Sequence, residues 1–210
     1  IKIRKFIPVA AGMAGGSTDA AAVLVGVNRM FDLGFTKKEL MERGVKLGAD
    51  VPYCIMRGTA LSEGIGEILT ELPAPPQCHL VIAKPQISVS TKAVYGKLRV
   101  NELAPEEHPD IDGMMAAIKN GDLDGVIERL GNVLETVTVP DHPEIARIKE
   151  MMMENGACGS LMSGSGPTVF GIYKDKELAE KACQALREAD GGRLTRQVYL
   201  TEFYNRKKAR

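Results

Sequence analysis

The chain has 210 residues, 44% of them hydrophobic, and its 27 lysines and arginines balance 27 aspartates and glutamates. That length suits one large or two small globular domains, and the neutral balance offers no global field to nucleic acid or a membrane surface. No apolar run approaches membrane-spanning length. Cys54, Cys78, Cys158 and Cys183 form no Cys-x-x-Cys pair, which argues against a zinc site or disulfide scaffold and fits a reducing cytoplasm.

Ile1-Lys-Ile-Arg-Lys-Phe-Ile7 alternates apolar and basic residues, and a strand is predicted over 1–9. A lone strand cannot stabilise itself, so its sheet partners are expected from an N-terminal segment outside this sequence. The strand feeds a glycine-rich turn made of Pro8, Val9, Ala10, Ala11, Gly12, Met13, Ala14, Gly15, Gly16, Ser17 and Thr18. Such a turn leaves backbone N–H groups pointing outward, and the dipole of the following helix adds partial positive charge there. Both effects favour a polyphosphate anion. The turn reads as a nucleotide phosphate cradle, or as a tight strand-to-helix connection whose small residues serve packing. It is not a Walker A loop, because no lysine lies between Phe6 and Arg29, and the order Gly12, Gly15, Gly16 is not the dinucleotide fingerprint.

A helix is predicted over 18–31, apolar almost all round and therefore buried. Ser17 and Thr18 at its mouth can place a hydroxyl on Mg²⁺ or cap the helix, and Asp19 is placed in the first turn. Thr36-Lys-Lys-Glu39 is a capping box for a second helix ending near Gly48. Asp50-Val-Pro52 follows in a stretch that proline is expected to keep from being helical. The apolar neighbours of Asp50 predict partial burial, which a carboxylate tolerates only with a cation or hydroxyl to meet. In phosphoryl transfer to an alcohol such an aspartate accepts the hydroxyl proton; alternatively it makes local backbone bonds. A β-hairpin is predicted over 57–72 around Glu63-Gly64, and proline-rich Leu72–Gln77 is the linker that separates a domain over 1–73 from one over 78–204.

Beyond the linker, strands are expected at 79–84, 159–162, 168–173 and 193–199. Helices are expected at 90–98, 111–119, 123–134, 143–155 and 176–189. The β-α-β order predicts a small α+β sandwich. Ser163-Gly164-Ser165-Gly166-Pro167 lies between two strands and reads as a loop pressed on substrate or cradle, or as a turn needing positive φ. It is no nucleophile elbow, since Leu161 and Ser163 stand where glycine is required. His79, His108 and His142 are not spaced as a metal pair; Asp141 reads as a helix cap before His142-Pro143. Arg206-Lys-Lys-Ala-Arg210 reads as a solvated tail.

Pro8-x-x-x-Gly12-x-x-Gly-Gly-Ser-Thr18, Gly48-Ala-Asp50-Val-Pro52 and Ser163-Gly-Ser-Gly-Pro167, in that order, resemble the GHMP small-molecule kinases. Ser90-Thr91 with Tyr95, and Asn132 with Leu134-Glu135, resemble the family's substrate-domain signatures. The resemblance implies an α+β fold of two domains, a partial ribosomal-protein-S5-like domain followed by a ferredoxin-like one. It implies that Pro8 through Thr18 bind ATP, that Gly164, Ser165 and Gly166 support the nucleotide loop, and that Asp50 is the catalytic aspartate; Mg²⁺ is expected with the ATP, and Ser17 is the candidate hydroxyl for it. The acceptor implied is a hydroxyl of a cytidine-diphosphate-linked polyol in isoprenoid precursor biosynthesis. Homoserine, mevalonate or a sugar is the alternative within the family, and a non-catalytic nucleotide-binding module the alternative outside it. Ala11 and Ala14 stand where many relatives carry glycine, implying a stiffer loop. Family members also begin with strands bearing a catalytic lysine and cytidine-contacting residues, which have no counterpart in this sequence.

Overall fold

The computed structural model describes residues 1–8 and 11–204. Val9 and Ala10 of the expected cradle, and the basic run from Arg206 to Arg210, lie outside the described residues. The described chain divides into two compact units, one of residues 1–8, 14–74 and 204, the other of residues 11–13 and 75–203.

In the first unit, α1 (Gly15–Met30) begins three residues earlier than expected. Its N-cap position is Ala14, in the left-handed region at φ 48°, and no side chain caps it. Thr18 is therefore inside the helix, its N–H and Oγ1 both donating to the Ala14 carbonyl at 2.8 and 3.0 Å. Asp19 correspondingly lies past the first turn. The expected burial on all sides is also corrected, because only Gly15 and Ala21 of this helix are buried. Ala20, Ala21, Leu24 and Val25 pack with Leu40, Val51 and Ile55, and the described neighbours α2 (Lys37–Gly44) and α3 (Val51–Met56) cover only that face.

Thr36 caps α2 in the expected box: its Oγ1 accepts the Glu39 N–H and its own N–H donates to Glu39 Oε2. The start of α3 departs from expectation, since Pro52 stands at the second helical position rather than stopping a helix. Proline is tolerated there because a first-turn N–H has no intrahelical acceptor to lose. The strands β1 (Thr59–Glu63) and β2 (Ile68–Leu72) form the predicted antiparallel hairpin, Thr59 opposite Leu72 and Glu63 opposite Ile68. Residues 1–8 form no strand, contrary to their alternating pattern, since none of the described strands pairs with them.

The second unit is built on a four-stranded antiparallel sheet of β3 (His79–Pro85), β4 (Gly159–Met162), β5 (Val169–Tyr173) and β6 (Thr195–Glu202) in the spatial order β4-β5-β3-β6. The long helices are α8 (Pro143–Glu154) between β3 and β4, and α9 (Lys176–Glu188) between β5 and β6. This βαββαβ order with the first strand of the unit central is the ferredoxin-like arrangement. Ile145, Ile148, Met152, Ala179, Ala182 and Leu186 are fully buried from these helices against Val81, Ala83 and Val169 of the sheet. At about 25 cal/mol per Å² of apolar area, that layer dominates the unit's stability. Cys78, Leu80 and Ile172 point to the opposite face, under Leu123, Ile127 and Leu130.

Between β3 and α8 run α4 (Thr91–Lys97), α5 (Ile111–Asn120), α6 (Leu123–Glu128) and α7 (Glu135–Asp141). Ser90, Asp110, Asp122 and Asp175 cap α4, α5, α6 and α9 with side-chain oxygens. The predicted helix over 123–134 stops at Glu128, and α7 was not foreseen. Asp141 closes α7 and pairs with Lys97 instead of capping α8, whose cap position is His142.

Candidate active site

The first turn of α1 is an open helix terminus. The N–H groups of Gly15, Gly16 and Ser17 precede the first intrahelical bond, from Thr18 to Ala14, and Ala14 has no oxygen in its side chain to take one. A built Cβ on Gly16 meets nothing within 4 Å, so the backbone there is open to close approach. The first turn contains no acidic residue. N–H groups without an acceptor among the described residues, together with the helix dipole, suit this terminus to an anion. Lys5 brings a positive charge there from residues 1–8: its Nζ donates to the Gly15 carbonyl at 3.2 Å and pairs with the Asp19 carboxylate, neutralising it. Sequence reasoning did not single out Lys5; the alternation of residues 1–7 hid it in a strand pattern.

The start of α3 lies beside that turn. A Cβ at Gly48 would stand 3.9 Å from Ser17 Oγ, and Thr18 Oγ1 is 3.5 Å from Cys54 Sγ. Burial chiefly, with the Asp50 charge adding to it, pushes the Cys54 thiol above its ordinary value, while the Thr18 hydrogen bond opposes this. Asp50 occupies the N-cap position of α3 in helical geometry, φ −83° and ψ −9°, and makes no capping bond. Its carboxylate is exposed, not partly buried, because its apolar neighbours Ala49 and Val51 turn inward without it. The expected cation or hydroxyl partner is not found among the described residues, and neither are local backbone bonds. A solvated carboxylate with no partner among the described residues is the result.

In the second unit, residues 11–13 meet the Ser163–Pro167 loop. Gly12 adopts φ +67°, and a Cβ on it would stand 2.2 Å from the Ser163 carbonyl oxygen. Ser163 Oγ donates to the Gly12 carbonyl at 2.7 Å. The loop is itself braced on three sides. Asn132 Nδ2 donates to the carbonyls of Met162 and Gly164, at 2.9 and 2.8 Å. Thr138 Oγ1 donates to the Ser165 carbonyl at 3.3 Å, and Thr91 Oγ1 and Ser165 Oγ share a hydrogen bond of 2.8 Å. Glu135 accepts the Met162 N–H on one oxygen and pairs with Lys149 on the other. Gly164 and Gly166 both have positive φ, as the turn reading required, and the loop also presses on Gly12, as the other reading required. Ser165 and Gly166 are buried and Gly164 is exposed.

Among the described residues no three His, Cys, Asp or Glu side chains gather as a metal site, and no helix is long and apolar enough to cross a membrane. Cys54, Cys78, Cys158 and Cys183 are free thiols.

Comparison with known proteins places these features in a family. Residues 1–58 match the GHMP kinases N terminal domain and residues 114–191 the GHMP kinases C terminal domain. The chain is 56% identical to the 4-diphosphocytidyl-2-C-methyl-D-erythritol kinase of Lachnospira eligens and 52% identical to that of Lachnoclostridium phytofermentans, over 97% and 99% of its length. It spans 69% of the length of each of these two relatives and 65% of the Enterococcus faecalis one. A crystal structure of 4-(cytidine 5'-diphospho)-2C-methyl-D-erythritol kinase superposes with a TM-score of 0.77 at 30% identity, over 95% of this chain and 68% of that one. A homoserine kinase from Cytophaga hutchinsonii, at 21% identity and a TM-score of 0.79 over 94% of this chain and 67% of that one, shares the fold. By sequence and by fold, the chain belongs to the GHMP kinases.

Proposed function

We propose that this GHMP kinase uses ATP to phosphorylate a hydroxyl of 4-diphosphocytidyl-2-C-methyl-D-erythritol, a step in isoprenoid precursor biosynthesis. The single observation that carries the phosphate site is the uncapped N-terminus of α1, where the N–H groups of Gly15, Gly16 and Ser17 precede the first intrahelical bond and Ala14 has no side-chain acceptor to cap them. The acceptor rests on the names of relatives that are 50–56% identical. Small-molecule phosphotransfer is what the family does, and positioning with charge stabilisation supplies most of its rate.

In this mechanism the loop from Pro8 to Thr18 holds the ATP phosphates through its backbone, and Gly164, Ser165 and Gly166 support it by holding Gly12. Asp50 accepts the proton of the attacking hydroxyl. Its carboxylate is suited to that role because no described residue engages it, leaving its lone pairs to the substrate. Mg²⁺ arriving with a triphosphate needs only one or two protein oxygens. The Ser17 hydroxyl, free of hydrogen bonds among the described residues, fits that need and would hold it, and the ion would neutralise developing phosphate charge. The partner is thus a small cytidine-diphosphate-linked polyol, with no role for nucleic acid or membrane. The cytoplasm is the compartment that four free thiols favour.

The test is ATP consumption by the full-length protein against a panel of alcohols containing the cytidine diphosphate substrate, homoserine, mevalonate and a sugar. Turnover is expected with the first. Asp50→Ala is expected to lower kcat by ~10²–10⁴-fold while nucleotide affinity stays within a few-fold. Turnover confined to another alcohol would replace the substrate, and an unchanged kcat in the variant would remove Asp50 from the chemistry. Nucleotide binding without turnover on any alcohol would favour a binding module.

A further inference from the structure

We infer that Asn132 is a positioning residue for the nucleotide loop, acting through the Ser163–Gly166 turn to hold Gly12 in place. This inference rests on the proposed nucleotide site and adds to it a residue that touches no ligand. Asn132 lies between α6 and α7, and three of its hydrogen-bonding positions are engaged. Two Nδ2 bonds run to the Met162 and Gly164 carbonyls, while Oδ1 accepts the Leu134 N–H at 3.0 Å.

Those bonds orient specific peptide planes. In a trans peptide the carbonyl and the following N–H point in opposite directions. Turning the Gly164 carbonyl to Asn132 therefore turns the Ser165 N–H away from it. The Ser163 carbonyl is likewise committed, to the Gly166 N–H at 2.9 Å, which directs the Gly164 N–H outward. Neither of these two N–H groups has an acceptor among the described residues. Ser163 then spends its hydroxyl on the Gly12 carbonyl at 2.7 Å. One amide side chain thus connects the entrance of α7, through a glycine turn, to the backbone at Gly12. Glu135 grips the same strand end from its other side, through the Met162 N–H, and is itself held by Lys149 at 2.6 Å.

The discriminating variant is Asn132→Asp, which keeps the side-chain shape and the Oδ1 acceptor for Leu134 but loses both donors. Titration of the full-length protein with a non-hydrolysable ATP analogue, beside thermal melting, reads the result. The dissociation constant is expected to rise ~10-fold, since two carbonyl anchors of the turn are lost together. Ser163→Ala is expected to weaken the analogue in the same direction, and the double variant to show little further loss, because the two residues act in series. Wild-type affinity in folded Asn132→Asp overturns the inference, as does a fully additive double variant. Should Asn132→Asp fail to fold, Ser163→Ala decides alone: unchanged affinity sinks the inference and weakened affinity upholds it. A wild-type protein that does not bind the analogue instead refutes the nucleotide site on which the inference stands.

Discussion

Ser163 Oγ lies 2.7 Å from the carbonyl of Gly12, a hydrogen bond joining residues 151 positions apart. It sits on the same contact where a Gly12 Cβ would collide with the Ser163 carbonyl at 2.2 Å. The approach is backbone on backbone, so no side-chain rotation can relieve an added methyl group.

Gly12→Ala is expected to be the most damaging single-atom change in the loop. It adds a Cβ at φ +67° and drives the two segments apart. A displacement of about 1 Å at a positioned phosphate corresponds to ~10²-fold in kcat/KM for ATP. Gly16→Ala is the matched control for stability, because its Cβ meets open space. Steady-state kinetics with a melting curve for each variant checks this; equal kcat/KM in Gly12→Ala and wild type would refute the close-packed role.

Lys5 and Asp19 form a charge pair whose two halves have opposite expected effects on nucleotide binding. With Lys5→Met, Asp19 is left unneutralised next to the helix terminus, and repulsion of a polyphosphate by about 1 kcal/mol raises KM for ATP ~5-fold. Asp19→Asn removes the repelling charge, so the double variant is expected to recover most of the loss. If the double variant binds ATP no better than Lys5→Met, the lysine acts by some means other than cancelling that carboxylate.

Cys78 gives a pH dependence with a definite sign. Burial first, then the charges of Glu202 and Cys158, push its thiol from 9.0 up to about 11. A folded-state value above the unfolded one means that the stabilisation is complete below about 9 and is lost as pH rises toward about 11. The melting midpoint is expected to fall across that window, and to fall less steeply in Cys78→Ala. Burial also raises Cys54 and Cys183, so the slope should flatten without vanishing. Parallel slopes for wild type and variant would show that Cys78 carries none of this dependence.

Much of the second unit was legible because its signals are local. Ser90, Asp110, Asp122 and Asp175 stand where a helix must satisfy its first N–H groups, and each helix begins just after its cap. The hairpin around Glu63-Gly64 and the strands flanking Ser163–Pro167 followed from turn chemistry and apolar runs in the same way. Three elements were not legible, each for a physical reason. α7 is written Glu135-Thr-Val-Thr-Val-Pro-Asp141, a β-branched run ending in proline, and it is helical because Thr138 is buried on the loop and Glu135 is held by Lys149. Pro52 looked like a helix stop and is a first-turn residue. Residues 1–7 alternate like a strand, yet a strand exists only by pairing, and no described strand pairs with them.

The candidate site divides along the same line. Its residue types, its glycine spacing and the family motifs that carry the kinase reading are properties of the sequence by itself, because turn geometry and helix dipoles depend on neighbours a few positions away. Which atoms meet was decided by the tertiary structure alone: the exposure of Asp50, the open end of α1 beside Ser17, the reach of Lys5 to Asp19, and the grip of Asn132 on the turn that holds Gly12. Those outcomes depend on hydrogen bonds and burial between segments from 14 to 151 residues apart, and no local pattern encodes the distance between them.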